Sequence, residues 1–473
     1  MCLSALMTKL LLVVFDGLRP DMVGPATTPH LAAFLAGGTR FLRARSVFPS
    51  ETRVCSASVA TGCLPRRHGL VANRLLDPRD PGRSIDTGQM TELRGLEQAT
   101  GAVLLGVPTL ARLLADAGRE VAVLSSGTTG QTYVLDPEAG ALGQVSLSVH
   151  GPQFCSAAGR RMFAALPEPP ADSAGRAVWI AEAWRTRLLP APPDLSIVWL
   201  CEPDSSGHWS GLGSPAQLAA LAAADAAFGR LVADWRAGPW RDRLTIAVAS
   251  DHGHATVTGH HDVAAGIAGS PAAGFTLMTG SSCGLALPEP DGPRIAAAAE
   301  WLTGQDWVGS VFATDGIDLP AGVLPRSVLL ADHARAAPLL FTLRASNAPA
   351  PGGLPGVTLY DGGLPLGGGT HGGLLAAEMQ IVLGFAGAAI RGGQSSELPA
   401  GLCDIAPTAL ALLGLPGAAA MDGRVLGEAL RDGAAPEDSP AAESWEAAGP
   451  GYQQSLARTR LGRHLYIDAG RRR

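Results

Sequence analysis

The sequence is poor in the features that mark disulfide-rich, membrane-bound and nucleic-acid-coating proteins. Its seven cysteines are scattered over 473 residues, their number is odd, and none forms a CxxC pair. This spacing does not predict a disulfide framework. A reducing cytoplasm is therefore the expected location.

Long apolar runs and an excess of basic charge are also missing. The run from Leu10 to Phe15 is too short to cross a membrane, and it ends in Asp16 and Gly17 instead of a small-residue cleavage site. We therefore predict neither a signal peptide nor a membrane anchor. The formal net charge of -6 provides no broad basic surface, which argues against bulk binding of nucleic acid. The composition leaves a small anionic substrate and a homodimer open.

What is present is a regular alternation of two kinds of segment. Short runs rich in Val, Ile and Leu alternate with Ala/Leu/Arg segments of helical period, which is typical of parallel strands joined by crossover helices. With 47% hydrophobic residues, the chain can bury a large α/β core. The predicted strands are 10–15, 120–124, 195–200, 244–249 and 380–385. The predicted helices are 29–36, 109–117, 177–189, 215–235, 294–303 and 406–413.

The same pattern divides the chain into four predicted parts. Residues 1–266 and 355–432 are expected to form the two parts of a catalytic core. Between them, residues 267–354 are punctuated by Pro and Gly, and we expect an inserted cap there. Residues 433–473 begin with a Pro, Ala, Glu and Ser-rich stretch and end in three arginines, which predicts a linker and a solvated, disordered tail.

Side chains suited to metal binding follow the predicted strands. Open parallel sheets place their sites at the carboxyl ends of strands. A single aspartate there is more often a helix cap or turn residue. Together, however, the residues form a mixed carboxylate and imidazole set that suits zinc or another divalent transition ion and exceeds one tetrahedral site. The set comprises Asp16, Asp204, His208, Asp251, His252 and, from a later glycine-rich loop, His371.

The order of these motifs resembles a known family. The segments that carry the resemblance are VVFDGLRPDM, FPSETRVCSASVATGCLPRRHGLVAN, CEPDSSGHWSG, SDHGH, GGTHGG and DIAPTALALLGLPGAAAMDG. They are similar to the successive signatures of the type I phosphodiesterase/nucleotide pyrophosphatase branch of the alkaline phosphatase superfamily. The resemblance implies an α/β, alkaline-phosphatase-like three-layer fold, in which helices flank a largely parallel central sheet that carries an inserted cap.

The resemblance also implies two divalent metal ions, with zinc expected and manganese as the alternative. A bound metal lowers the pKa of a coordinated oxygen, so a threonine hydroxyl could be activated without a separate base. The reaction would pass through a phosphothreonine, between ions roughly 4 Å apart. The implied ligands are Asp204, His208 and His371 for one ion, and Asp16, Asp251, His252 and the Thr52 oxygen for the other.

Thr52 is the implied nucleophile because it follows the FPSE segment, where the family places a Thr or Ser. Ser50, Ser56 and Ser58 are nearby alternatives. Asn73 falls where the family places an Asn that donates to a phosphate oxygen, although it could instead be an ordinary turn residue. Thr52 and Asn73 are therefore the predicted catalytic residues.

Two departures from the related families bear on the substrate. Nucleotide-cleaving relatives have an aromatic residue after the nucleophile, but this chain has Arg53, which could bind a carboxylate or second phosphate or could simply face solvent. Phosphonoacetate hydrolases hold the carboxylate of their substrate with lysines after the strand near Val121. This sequence has SSGTTG at 125–130 instead, which argues against phosphonoacetate itself.

Cys63 lies in a C-x-P-x-R segment that resembles the sulfatase signature. In sulfatases that cysteine precedes a Thr-Gly pair, whereas Cys63 follows Thr61 and Gly62. We therefore expect Cys63 to be a small buried residue.

The function that the resemblance implies is that of a two-metal phosphohydrolase of the phosphodiesterase/nucleotide pyrophosphatase type, which acts on a small phosphorylated substrate. A phosphonate hydrolase or phosphomonoesterase on the same core is the alternative, followed by a noncatalytic binding relative. His254, His260 and His261 lie close to the predicted metal ligands in sequence. They could support the site, but structural or surface roles are expected more often for such histidines.

Overall fold

An eight-stranded sheet lies at the centre of the fold. The computed structural model describes residues 8–473 except 281, 288 and 290; residues 1–7, where the predicted catalytic core begins, and the three cap positions lie outside the described residues. The sheet is parallel except for Leu383–Ala386, which is antiparallel to both of its neighbours. Its strand order is Gln394–Gly401, Thr39–Arg45, Leu383–Ala386, Leu244–Ala249, Lys9–Phe15, Leu195–Leu200, Val121–Ser125 and Val145–Ser148.

Helices cover both faces of this sheet. Alternate side chains of Lys9–Phe15 point to opposite faces, so Leu12 and Val13 belong to separate hydrophobic clusters. The helices of one face are Pro29–Gly37, Ser173–Arg187 and Pro215–Ala237. Those of the other face include Thr52–Thr61, Leu110–Asp116 and Ile405–Leu412. This is the predicted three-layer arrangement.

The helix Pro215–Ala237 is the one described helix that is long and apolar enough, by length and composition, to cross a membrane. Its Phe228 ring packs edge-on against Phe15 and Phe34, with ring centroids 5.7 and 5.2 Å apart. These contacts are those of a core helix.

A second sheet lies within the region predicted as the cap. The helix Gly292–Thr303 packs against it and forms a separate hydrophobic cluster with it. The limits predicted for the cap and core stay a prediction. The strands of the second sheet, in order, are Thr276–Met278, Ser282–Ala286, Leu339–Leu343, Val308–Ala313 and Leu324–Pro325.

The prediction of a linker and disordered tail at the carboxyl end is wrong for residues 441–472. They form a three-stranded antiparallel sheet of Ala441–Gly449, Tyr452–Leu461 and His464–Arg472. The strand Tyr452–Leu461 buries alternate side chains up to Leu456 and, after a register shift at Ala457/Arg458, again at Thr459 and Leu461, which is the half-buried strand pattern. The terminal arginines are part of this sheet, and Arg472 donates to Val308 O in the cap region.

The strand predicted at 380–385 is also shifted along the chain, and it runs antiparallel to its neighbours instead of parallel. Gln380 forms only an isolated bridge with Arg45, and the strand itself is the antiparallel Leu383–Ala386. The other strands are Arg74–Asp77, Asp80–Asp86, Ala255–His260, Ala345–Pro349, Pro355–Tyr360 and Gly369–Thr370. The other α-helices are Pro65–His68, Met90–Thr100, Thr129–Leu135, Ala139–Leu142, Ala157–Ala164, Asp204–Ser210, Val263–Ile267 and Ala376–Met379.

Candidate active site

Three adjacent strands deliver the aspartates of the site. Lys9–Phe15 lies between Leu195–Leu200 and Leu244–Ala249, in parallel and in register, so the three strands end at the same sheet edge. Asp16, Asp204 and Asp251 follow these three ends. His371 reaches the same place from the loop after Gly369–Thr370. All six predicted metal ligands are therefore brought together in two groups.

The inner group is Asp16, Asp251 and His252, and it is fully buried. His252 Nε2 lies 3.4 Å from Asp16 Oδ1 and 3.3 Å from Asp251 Oδ2. The second oxygen of each carboxylate is held elsewhere: Trp199 Nε1–H donates to Asp16 Oδ2, and Gly17 N–H donates to Asp251 Oδ1. Each aspartate is thus held through one carboxylate oxygen and directs its other oxygen towards His252 Nε2.

The donor atoms of the inner group fit a cation. His252 Nδ1 lies 3.0 Å from Gly253 O, and a carbonyl oxygen only accepts, so the proton is on Nδ1 and the lone pair of Nε2 faces the carboxylates. Neither Asp16 Oδ1 nor Asp251 Oδ2 has a hydrogen-bond donor within the described part of the chain. Buried carboxylates are paired or bind metals. The group therefore suits a divalent ion.

The outer group is Asp204, His208 and His371, and it is partly open to the cavity. Asp204 Oδ1 lies 3.2 Å from His208 Nε2 and 3.5 Å from His371 Nε2. The Nδ1 atoms of the two rings are 2.6 Å from Gly369 O and 2.8 Å from Ser50 O. Both rings therefore turn the Nε2 lone pair towards Asp204, which is the arrangement of histidine ligands in metal sites.

For His254, the sequence favoured a structural or surface role, but the structure places this residue in the site. It is fully buried, its Nδ1 lies 3.0 Å from Gly17 O, and its Nε2 lies 3.0 Å from Asp204 Oδ1. Gly17 has φ +69°, and a Cβ there would lie 2.3 Å from the His254 ring. His254 thus joins the backbone beside Asp16 to the outer group. The sequence feature that could have indicated this role is the position of His254 two residues after His252.

The electrostatics of the two groups differ. Burial raises the pKa of Asp251 to about 8 and raises the pKa of Asp16 well above its ordinary range, and nearby carboxylates add to both shifts. Burial lowers the pKa of His252 to about 3, so this ring is neutral at ordinary pH. Burial opposes the charge on Asp204, yet the surrounding imidazoles hold its pKa well below the ordinary value. A divalent cation would stabilise the ionised form of the inner carboxylates.

Thr52 is the hydroxyl residue beside the inner group. It is the first residue of the helix Thr52–Thr61, and its Oγ1 lies 3.3 Å from His252 Nε2. The three alternative serines are engaged elsewhere. Ser50 Oγ donates to Gly373 O, Ser56 Oγ donates to Thr52 O, and Ser58 Oγ lies 2.9 Å from His68 Nε2.

Asn73 lies across from this helix end. Its Oδ1 accepts a hydrogen bond from Arg53 N at 3.3 Å, so its NH₂ group is the part left to donate. Asn73 N–H in turn donates to Glu51 Oε2. These contacts fix Asn73 beside the amino-terminal end of the Thr52–Thr61 helix with its NH₂ group left as a donor.

One cavity of about 340 Å³ contains the predicted catalytic residues and the outer group. Thr52, Arg53 and Asn73 line it from the core. Met278 and Ser282, among other residues of the cap region, line the opposite side. A cavity of this size suits a small ligand.

Other residues singled out in the sequence lie away from the chemistry. Cys63 is buried in the core as predicted and does not line the cavity. His260 Nε2 lies 2.7 Å from Leu364 O, and His261 stacks on Trp307 with ring centroids 4.2 Å apart. In the SSGTTG segment, the Thr128 side chain caps the helix Thr129–Leu135. These roles are structural.

The sequence model of the family described as type I phosphodiesterase / nucleotide pyrophosphatase matches residues 10–282, more than half of the chain. The chain belongs to this family. The match contains Thr52, Asn73 and all of the six predicted metal ligands except His371. The matched range therefore includes the three strand ends that supply the aspartates of the site.

Curated relatives within the family match short segments of the chain. Human ectonucleotide pyrophosphatase/phosphodiesterase family member 5 is 33% identical over 93 residues, which is 20% of each protein. The bis(5'-adenosyl)-triphosphatases of Homo sapiens and Pongo abelii are each 39% identical over 74 residues, 16% of each protein. These alignments span a fifth or less of the relatives' length.

Solved structures of a family member extend the likeness to the fold. Two structures of murine ectonucleotide pyrophosphatase/phosphodiesterase 5 superpose with TM-scores of 0.60 and 0.59, at 20% identity and over 86% of this chain. They are covered over 95% and 96% of their own length. One of them is an inactive threonine-to-alanine variant in complex with AMP. The predicted alkaline-phosphatase-like fold is confirmed.

Proposed function

We propose that this protein is a metal-dependent hydrolase of small phosphodiesters or pyrophosphates that uses Thr52 as its nucleophile. The observation that carries the proposal is the placement of Thr52 Oγ1, 3.3 Å from His252 Nε2 and at the edge of a cavity shared with the outer group. Family membership supports the bond type. The murine relative supports a threonine requirement and a nucleotide-sized ligand.

Asp16, Asp251 and His252 would hold one ion with the Thr52 oxygen, and Asp204, His208 and His371 would hold the other. Zinc suits the mixed carboxylate and imidazole donors, with manganese as the alternative. Bound divalent ions would supply Lewis acidity and a lowered pKa for hydroxyl oxygens.

The residues of the chain then perform the substitution in two steps. Thr52 Oγ1 forms a bond to phosphorus as the bond to the leaving oxygen breaks, which yields a phosphothreonine. Water hydrolyses that ester and restores Thr52. The Asn73 NH₂ group is placed to donate to a nonbridging oxygen as negative charge develops. The amino-terminal end of the Thr52–Thr61 helix adds favourable potential for the anion.

Turnover of a substrate panel by the zinc- or manganese-loaded protein tests this proposal. We expect bis(p-nitrophenyl) phosphate to be preferred over p-nitrophenyl phosphate and over phosphonoacetate. Thr52→Ala should lower kcat by at least about 10³-fold because the nucleophile is lost. Its metal content, measured by elemental analysis, should stay that of the wild type.

Other outcomes identify the alternatives. A strong preference for the monoester or for phosphonoacetate would show a phosphomonoesterase or a phosphonate hydrolase. Wild-type protein that loads metal but turns over no substrate would indicate a binding relative. Unchanged turnover in Thr52→Ala would exclude the proposed nucleophile.

A further inference from the structure

Arg53 is a cation of the active-site cavity whose guanidinium makes no hydrogen bond to the described part of the chain. It is the second residue of the helix Thr52–Thr61 and lines the cavity beside the nucleophile. Its Nε is buried and has no hydrogen-bond partner within the described residues. No ion pair joins its guanidinium to a carboxylate in that part of the chain either. Burying a charged donor without a partner is costly, so such a group is poised for a ligand.

The other arginines of the cavity differ from Arg53 because they hold the fold. Arg335 donates to Leu104 O at 2.5 Å and ties the cap region to the core. Arg74 donates to Ser84 Oγ at 3.2 Å within its own hairpin. The described hydrogen bonds of Arg53 come from its backbone, whose N–H donates to Asn73 Oδ1. Arg53 is thus the arginine of this cavity that remains for a substrate.

The nearest acidic neighbour of Arg53 in sequence is already engaged. Glu51 Oε2 accepts a hydrogen bond from Asn73 N, and Glu51 Oε1 accepts one from Ser282 Oγ at 3.4 Å. These bonds hold Glu51 between the core and the cap region. Burial raises the pKa of the Glu51 carboxyl and the charge of Arg53 acts against this shift, but no described hydrogen bond or ion pair joins the two side chains. The donors of the Arg53 guanidinium are therefore left to the shared cavity, where a planar, forked donor favours a carboxylate or a phosphate.

We propose that the substrate carries a second anionic group, a carboxylate or a phosphate, on a substituent of the attacked phosphorus, and that Arg53 binds this group. The inference rests on the proposed function and narrows its substrate class. It gives Arg53 a role in specificity: the second anion is recognised at a distance from the bond that breaks.

Three matched chromogenic diesters test the proposal through kcat/KM. They are p-nitrophenyl phosphates whose second ester group is ethyl, 2-carboxyethyl or 2-phosphonoethyl. We expect the wild type to prefer the anionic diesters over the ethyl diester by about 10- to 100-fold, the range of a hydrogen bond to a charged group. Arg53→Met should bring this ratio close to one, whereas Arg53→Lys should keep part of it. Arg236→Met, at an exposed position, is the matched control and should keep all of it.

A binding measurement separates this inference from the proposed function. Calorimetric titration of the zinc-loaded protein with 3-phosphonopropionate and with propylphosphonate compares a second anion with none and needs no turnover. We expect at least tenfold tighter binding of 3-phosphonopropionate by the wild type, and equal binding of both by Arg53→Met. Equal binding by the wild type, or a ratio that survives in Arg53→Met, would overturn the role of Arg53. Absence of turnover with this binding preference intact would count against the hydrolase alone.

Discussion

The hydroxyl of Thr52 lies where two different sources of electrostatic stabilisation meet. One is the amino-terminal end of its own helix, where unsatisfied N–H groups favour an anion. The other is the cation that the inner group would hold with its imidazole lone pair and two carboxylate oxygens. Neither Ser56 nor Ser58 lines this cavity, although both lie on the same helix. The position within the helix, and not the hydroxyl itself, therefore distinguishes Thr52.

Removal of the Asn73 amide should lower kcat/KM for a diester by about 100-fold, because one donor to the developing negative charge is lost. The expected loss lies in kcat, with KM little changed. Asn73→Ala tests this by steady-state kinetics with bis(p-nitrophenyl) phosphate. Asn347→Ala, at an exposed position, is the control. A KM effect alone would assign Asn73 to ground-state binding.

In the metal-free protein, Asp251 should contribute a loss of stability as the pH rises from 6.5 to 8. The pKa of Asp251 is about 8 in the fold against an ordinary 3.8, so the stability due to protonated Asp251 is present at low pH and is lost as the pH rises through 8. Histidines with a lowered pKa, such as His252, act in the opposite direction, because they are partly protonated in the unfolded chain at pH 6.5 and neutral in the fold. The contribution of Asp251 is therefore measured as the difference between the wild type and Asp251→Asn.

Urea denaturation in the presence of a chelator measures the effect. Over this interval, we expect the unfolding free energy of the wild type to fall by about 1–2 kcal/mol relative to that of Asp251→Asn. The histidines, Asp16 and Glu378, whose pKa is raised by burial to about 7, are present in both proteins, so their contributions largely cancel in this comparison. Zinc-loaded wild type is the control and should lack the Asp251 contribution. Equal pH dependence of the variant and the metal-free wild type would contradict the assignment.

The residue types and their positions predicted the six side chains that converge in the site, but not the side chains and backbone groups that orient them. The aspartates could be found because each follows an apolar run. Trp199, which fixes Asp16 Oδ2, is an ordinary apolar residue in the sequence of its strand. In the sequence, nothing distinguishes His254 from other histidines near a motif. Its role follows from the contact between its ring and Asp204 in the structure. Such orienting contacts depend on three-dimensional packing, which spacing does not encode.

Among the secondary-structure elements, the central strands were the most predictable. Leu195–Leu200 and Leu244–Ala249 are buried at every position, so their apolar runs mark their full length. The outer strands Thr39–Arg45 and Gln394–Gly401 carry charged and polar residues and were missed. The sheet at 441–472 was missed because its Ala-, Gln- and Arg-rich strands resemble a linker in composition.

This carboxyl-terminal sheet should stabilise the fold without taking part in the chemistry. Leu456 is fully buried in the main hydrophobic cluster, so Leu456→Ala should cost about 2–5 kcal/mol. The turnover of the folded fraction should stay unchanged. Urea denaturation and kinetics at low temperature test this, with the exposed Gln453→Ala as the control. A loss below 0.5 kcal/mol, about the range of surface substitutions, would show that the sheet is peripheral.

In the whole molecule, the carboxyl-terminal sheet and the cap region meet through specific polar contacts. Gln454 Nε2 donates to Val311 O, and Tyr452 OH donates to Gly309 O, both in the second sheet. The cap region in turn forms one side of the active-site cavity. The last part of the chain therefore helps to position a side of the cavity, although it supplies no residue to the two metal-ligand groups.

Elemental analysis of the purified, zinc-equilibrated protein tests the central claim most directly. The wild type should bind two zinc ions per chain, whereas Asp251→Asn and Asp204→Asn should each bind one, because each substitution removes a ligand from a different group. Asp242→Asn, on the surface, should still bind two. A wild type that binds fewer than two ions, or aspartate variants that both keep two, would contradict a pair of cation sites around Thr52.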